Sequence, residues 1–497
     1  MTTIGVVGAG AMGRGICQWA LEMGAQAIVF DAKPGSANEA RTFILDMLSR
    51  AVAKGKLTAA GRDAMISSLE VADSLASFAS ADVVIEAIVE DIDVKRKLFG
   101  ELESVVREDA ILCTNTSSLS VTACARDCRS PARVVGLHFF NPAPLMKVVE
   151  VIRGERTSPD TVNRLLAIVG KSQHKPIVCE DTPGFVVNHA GRGLSTEGLR
   201  IVQEGVAEFA DVDRVMREYV GLPMGPFELF DLTGLDVSGR VLREIYEGFF
   251  HDPRYRPAPL VNRRVEARLF GRKVGEGFYS YPNGKKAEPE EFAAPLDADG
   301  SLYIDGPDSL KALLVTAGAK LIDQASMADA ILICPLGDDT TAAALASGHD
   351  PKRVVAMDML FSDRHGSGQR ATIMGSPVTE KRSLDTVHAA LLSSGLRVTR
   401  IGDSPGFIAQ RVVANIVNTA CEIAQQRIAA PHDIDEGVKR GLGYPVGPFA
   451  LGDQIGGGRI LAILRRLQDL TGDPRYRPSL WLRRRAELGV SLSLTER

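Results

Sequence analysis

Ile4-Gly5-Val6-Val7-Gly8-Ala9-Gly10-Ala11-Met12-Gly13 opens with a β-branched run that breaks into closely spaced glycines. A helical pattern follows through Ile16, Ala20 and Met23, and Ala27-Ile28-Val29-Phe30 reads as a second strand ending at Asp31. Strand, glycine turn, helix and strand in that order predict the first unit of an open, parallel α/β sheet that binds a dinucleotide. Gly8 permits the tight turn, Gly10 lets the backbone approach a pyrophosphate, and Gly13 allows the helix to pack closely. The phosphates would sit on N–H groups at the helix start. Asp31 stands where a carboxylate accepts hydrogen bonds from the adenosine ribose and repels a 2′-phosphate, which favours NAD over NADP. Lys33 beside it weakens that exclusion slightly.

Composition bounds the rest. The 497 residues should hold three or four domains at roughly 150 residues each. With 45% hydrophobic and 24% charged residues, the chain reads as an ordinary globular protein. Its net charge of −4 carries no basic stripe, so no nucleic-acid partner is expected. No apolar run is long enough to span a membrane, and the N-terminus runs straight into a strand without a signal peptide. Cys124 and Cys128 sit four apart with no second ligand pair, so no metal is expected. The seven scattered cysteines fit a reduced, cytoplasmic protein.

Further strands are predicted at Ala81 to Glu90 and at Ile111 to Thr114, the latter ending in Asn115-Thr116-Ser117-Ser118. Arg133 to Glu150 then reads RVVGLHFFNPAPLMKVVE. Val134-Val135 deliver His138 into a segment where Pro142 and Pro144 stop the strand, and a second apolar run from Lys147 to Ile152 carries Glu150 back. An imidazole at a strand end with a carboxylate on the neighbouring strand suits general-base catalysis. A satisfied structural histidine is the competing reading. Because ligands of open sheets lie outside the carboxyl ends of the strands, Glu90, Ser117 and His138 should share one crevice. Asn188, just after Asp181-Thr182-Pro183-Gly184, reads equally as a site residue or as packing in a helix-entry turn.

The segments GAGAMG, VIEAIVED, TNTSSL, GLHFFNPAP, TPGFVVN, GLPMGPFELFDLTGLD and FGRKVGEGFY, in this order over residues 4 to 281, resemble the L-3-hydroxyacyl-CoA dehydrogenase family. Spacing agrees as well: Ser117 precedes His138 by 21 residues, and Glu150 and Asn188 follow it by 12 and 50. The resemblance implies hydride transfer between C3 of a 3-hydroxyacyl-CoA and the nicotinamide of NAD, giving a 3-oxoacyl-CoA. It implies His138 as acid–base group, Glu150 as its orienting partner, and Ser117 and Asn188 as hydrogen-bonding groups on the substrate. It also implies cofactor contacts at Gly8, Gly10, Met12, Gly13, Asp31, Glu90, Lys95, Ser117, Asn141 and Lys273. Glu90 and Lys95 read otherwise as solvated charges at a helix start. Lys54 and Lys56 would meet the CoA phosphates or form a surface charge cluster. His189 departs from the family's arginine and removes a salt bridge. A dehydrogenase of a non-CoA hydroxy acid and a non-catalytic cofactor-binding protein are the alternatives.

The chain also repeats itself. Asp181-Thr182-Pro183-Gly184-Phe185 returns as Asp403-Ser404-Pro405-Gly406-Phe407, and Gly221 to Phe227 returns as Gly443 to Phe449, both offset by 222. A repeat this long is a duplicated domain. Between the copies, Leu313-Leu314-Val315, Ile331-Leu332-Ile333 and Arg353 to Asp358 read as strands, with Asp358 in the place of His138 and Gln410 in that of Asn188. The expected layout is therefore an α/β Rossmann-like NAD-binding domain (1–182), an all-α helical domain (183–285), a degenerate Rossmann-like domain without chemistry (286–402) and a second all-α helical domain (403–497). The polar, Pro/Gly-rich stretch from Tyr281 to Asp297 suits the middle boundary. The layout resembles the family's long form, including the phenylacetate-pathway enzymes that act on 3-hydroxyadipyl-CoA. It implies either a monomer whose second helical copy imitates a dimer partner, or a homodimer.

Overall fold

A computed structural model describes residues 1–293, 299–361 and 369–496; Pro295, Leu296 and Asp297 of the expected linker lie outside them. Strands β1 (Thr3–Val7), β2 (Gln26–Phe30), β3 (Leu69–Val71), β4 (Val83–Glu86), β5 (Ile111–Thr114), β6 (Val134–Phe139), β7 (Val148–Arg153) and β8 (Lys175–Glu180) form one sheet, ordered β3-β2-β1-β4-β5-β6-β7-β8. Through β6 the pairing is parallel. A hydrophobic core covers each face, so these strands are nearly continuous apolar runs. Helix α1 (Ala11–Glu22) follows the glycine turn, and α2 (Ile92–Glu103) follows β4 with Asp91 capping its first N–H groups.

β6 and β7 break the parallel pattern. They pair antiparallel, with His138 directly opposite Glu150. The Asn141–Pro142 peptide between them is cis.

The second sheet comprises β9 (Ser301–Asp305), β10 (Lys320–Leu321), β11 (Ala330–Ile333), β12 (Val354–Met357), β13 (Arg370–Gly375) and β14 (Arg397–Ile401) in the order β10-β9-β11-β12-β13-β14. Its only antiparallel pair among the described residues, β12 with β13, repeats the β6–β7 feature. One expectation fails here: Leu313-Leu314-Val315 lies in the helix Asp308–Thr316. Leu310 and Leu314, four apart, are buried while Val315 faces out, which is a helical period. A three-residue apolar run cannot distinguish that from a strand. The strand is Ser301–Asp305 instead, with Leu302 and Ile304 buried.

Contacts group the chain into two units, residues 1–189 with 426–442 and residues 190–425 with 443–497. In the first unit the helix Pro431–Gly441, from the second helical copy, lies against the first sheet. A side chain at Gly441 would come within 2.7 Å of Val187, and Ile428 accepts the Glu180 N–H at 2.9 Å. In the second unit the equivalent stretch of the first copy lies against the second sheet. There Glu218 pairs with the buried Arg370 of β13 at 2.7 Å, and the Tyr219 hydroxyl donates to the Asp358 carbonyl at 3.1 Å. Each sheet is thus backed by the opposite helical copy.

Candidate active site

The glycine turn has three glycines held for different reasons. Gly8 has φ +102°, and a Cβ there would meet the Ala87 carbonyl at 2.5 Å. At Gly13 a Cβ would fall 1.8 Å from the Gly8 carbonyl, so α1 can start only with glycine there. Gly10 has nothing within 4 Å of its missing Cβ, and no side chain caps the helix it begins. Space and uncapped N–H groups there fit a pyrophosphate. Asp31, past the end of β2, accepts from the Ala9 N–H at 2.7 Å and the Lys33 N–H at 2.8 Å, keying the turn to the strand. Met12, in the first turn of α1, is half-buried.

Beyond β5, the Asn115 to Ser118 loop is pinned by a carboxylate. Glu90 accepts from the Thr116 hydroxyl at 2.6 Å and from the Ser117 N–H at 3.0 Å. Its other oxygen pairs with Lys95 at 3.2 Å, and Lys95 also grips both oxygens of Glu86 at 2.8 Å. Burial pushes the Glu90 carboxyl up, but Lys95 and the two hydrogen bonds outweigh it and hold the group below the usual carboxylate range. Lys95 is 1% exposed, so its reading as a solvated charge is wrong; the chain folds it inward because Glu86 is buried at the end of β4 and must be paired. Glu86 was missed from sequence. Its signal was an acid closing the apolar run Val83-Val84-Ile85.

Across the β6–β7 pair, His138 Nδ1 lies 2.6 Å from Glu150 Oε2. Glu150 is fully buried, and its Oε1 accepts from the N–H groups of Val186 at 2.9 Å and Val187 at 2.8 Å. The turn that offers them has Gly184 and Phe185 both at positive φ, and Asn188 follows at once in the helix Val187–Ala190. Phe140 stacks edge-on against the imidazole at 4.6 Å between centroids. Asp181, at the head of the same motif, caps a different element: it accepts from the Ser120 hydroxyl and the N–H groups of Val121 and Thr122.

The first unit therefore holds the glycine turn, Asp31, Glu90, Lys95, Ser117, His138, Glu150 and Asn188. Asn141 is exposed on the loop after β6, and Lys54 and Lys56 are exposed where the helix Ser36–Ala53 ends. Lys273 belongs to the second unit, where it pairs with Asp236 at 2.6 Å.

The family described as "3-hydroxyacyl-CoA dehydrogenase, NAD binding domain" matches residues 3–182, and "3-hydroxyacyl-CoA dehydrogenase, C-terminal domain" matches 184–281 and again 406–493. The chain belongs to the 3-hydroxyacyl-CoA dehydrogenase family. A 3-hydroxyadipyl-CoA dehydrogenase of Escherichia coli K12 is 35% identical over 98% of both chains. A probable 3-hydroxybutyryl-CoA dehydrogenase of Deinococcus radiodurans is 40% identical, over 56% of this chain and 99% of its own. The crystal structure of 3-hydroxybutyryl-CoA dehydrogenase from Escherichia coli K12 superposes with a TM-score of 0.87 at 34% identity, over 98% of each chain.

In this NAD-dependent 3-hydroxyacyl-CoA dehydrogenase the second half keeps the architecture and loses the imidazole. Asp358 follows β12 and pairs with Thr372 of β13, as His138 pairs with Glu150. Gln410 donates to Asp358 at 3.0 Å and accepts from the Gly337 N–H at 2.7 Å, so the equivalents of the site residues are tied to one another. Burial pushes the Asp358 carboxyl up to about 6.

Proposed function

We propose that the chain oxidises an L-3-hydroxyacyl-CoA to the 3-oxoacyl-CoA, with His138 as acid–base group and Glu150 as its partner. The observation that carries this is the buried Glu150, which holds His138 Nδ1 while its other oxygen is fixed by the turn that places Asn188. With both carboxylate oxygens accepting, the proton of the neutral imidazole sits on Nδ1 and Nε2 is left as the base. Nε2 takes the C3 hydroxyl proton during oxidation, and the carboxylate stabilises the resulting imidazolium. Ser117 and Asn188 donate to the reacting oxygen or the thioester carbonyl and orient the substrate. NAD, when bound, supplies the hydride acceptor. Gly8, Gly10, Met12, Gly13 and Asp31 hold the dinucleotide, Glu90 and Asn141 line its nicotinamide end with the buried Lys95 paired to Glu90, and Lys54 and Lys56 meet the CoA phosphates.

The relative of matching length that is named for 3-hydroxyadipyl-CoA supports a place in fatty-acid or phenylacetate-type breakdown. Free thiols at all seven cysteines support a reducing, cytoplasmic setting, and no described helix is long and apolar enough to cross a membrane. The exchange of helices between the two sheets supports a monomer that carries its dimer partner within one chain.

The test is NADH oxidation with acetoacetyl-CoA by wild type and His138→Gln. The variant is expected to lose about 10²–10⁴ in rate; equal rates would sink the assignment. Turnover of a free hydroxy acid but not its thioester would favour the non-CoA alternative. NADH binding without turnover of either would favour a binding protein.

A further inference from the structure

The two helical copies meet within the second unit, where helix α3 (Arg192–Gln203) of the first copy lies along α4 (Ala409–Gln425) of the second. These helices are equivalent under the 222-residue repeat, so the same surfaces could also join two α3 helices, or two α4 helices, of different chains. The contact is closest at Gly193, where a Cβ would fall 2.6 Å from Ile416 Cα. The equivalent position on α4 is Asn415.

Its electrostatics differ between the two flanks. Arg411 lies 2.7 Å from Glu197 and 3.0 Å from Glu204, and Asn415 donates to Glu197 at 3.0 Å. Glu197 is fully buried; burial pushes its carboxyl up, but Arg411 and Arg475 hold it below the ordinary range. Under the repeat, Arg411 corresponds to His189, Glu197 to Thr419 and Glu204 to Gln426. Both acids and their arginine are thus replaced together in the opposite copy. The Arg411–Glu197–Glu204 cluster exists on one flank of the pseudo-twofold only; the other flank holds a single pair, Arg254 with Glu422 at 3.4 Å.

We infer that this asymmetric contact is a pairing code that makes α3 select α4 of its own chain and reject self-pairing between chains. An α3–α3 contact would set each buried Glu197 against His189 in place of Arg411, and would also lose Asn415. Arg254, the counterpart of Arg475 in the Asp-Pro-Arg-Tyr segment that repeats at an offset of 221, would be its remaining guanidinium. An α4–α4 contact would set Arg411 against Thr419 and Gln426 in place of both its acids, leaving Glu422 as the one carboxylate for Arg411 and Arg475. It would also place asparagine where the close approach needs glycine. The heterotypic pairing alone satisfies both the charge and the steric condition. The code presupposes the internal pseudo-dimer, which the wild-type mass tests separately.

The experiment uses the full chain, unfolded and refolded over a range of concentrations, with masses from sedimentation equilibrium. Wild type is expected to return as a monomer; concentration-dependent association would remove the pseudo-dimer reading and the code with it. His189→Arg/Arg411→His places arginine and its acids on one copy, so chains are expected to associate at least about ten-fold more tightly than wild type. Adding Glu197→Thr and Thr419→Glu rebuilds the pair on the opposite flank and should restore the monomer. A two-site variant as monomeric as wild type, or a four-site variant as associated as the two-site one, would overturn the code. If the two-site variant does not refold, urea unfolding of Glu197→Gln, Arg411→Gln and their double decides: a coupling of about ten-fold in the unfolding constant supports the code and additive effects overturn it.

Discussion

Glu150 illustrates how much one buried side chain can be asked to do. It accepts from an imidazole on one oxygen and from two backbone N–H groups on the other, so removing its charge disturbs tautomer and turn together. Glu150→Gln is expected to lower the rate by about 10² or more with little change in KM, read from steady-state NADH oxidation. Gly10 makes the opposite case. Its missing Cβ faces open space, so Gly10→Ala should fold as wild type while NADH binding, followed by fluorescence, weakens by about ten-fold or more because the methyl group occupies the pyrophosphate's place. Asp358 reports on the second half. Its carboxyl is raised to about 6 in the folded chain against about 3.9 unfolded, so its contribution is present at low pH and lost as pH rises through 6. Asp358→Asn should therefore melt above wild type at pH 8 and level with it near pH 4, with NADH oxidation unchanged. Melting curves that differ equally at both pH values would contradict the buried, titrating acid.

Among the elements, the antiparallel β6–β7 pair and the turn after Pro183 build the His138–Glu150 pair between them. The pair sets His138 opposite Glu150, and the turn locks Glu150 in place. The prolines after His138 made the end of β6 legible, and the valine-rich run before Glu150 made β7 legible, because both are local signals. Nothing local says that the N–H groups of Val186 and Val187 close on Glu150, or that Asp181 caps the helix Val121–Cys124. Those bonds cross more than thirty residues. Lys95 belongs to the same class. On sequence it is a charge at a helix start, and only the packing of α2 against β4 turns it inward to Glu86 and Glu90. Lys95→Met should cost about 3–5 kcal/mol of stability by stranding the buried Glu86 carboxylate. It should also free the Ser117 loop and raise KM, which denaturant unfolding and substrate titration would show together.

At the scale of the molecule, duplication is what separates this chain from the half-length relatives it matches. The second copy's helix Pro431–Gly441 lies against Val186 and Val187, the two residues whose N–H groups hold Glu150. A chain ending near residue 290 loses that buttress, and its α3 loses the α4 surface that pairs Glu197. It is expected to aggregate or to lose activity; a stable, active monomer in sedimentation would show that the second half is dispensable.

The fold class, the glycine turn, the placing of His138 beside Glu150 and the repeat were determined by sequence alone. Each rests on residues adjacent in the chain, or on periodicity that hydrophobic burial enforces wherever it occurs. Tertiary structure alone decided that Lys95 is an internal counter-ion, that the turn after Pro183 fixes Glu150, and that each sheet is backed by the opposite helical copy. A buried charge or backbone donor must find a partner somewhere, and which partner it finds depends on how distant segments pack.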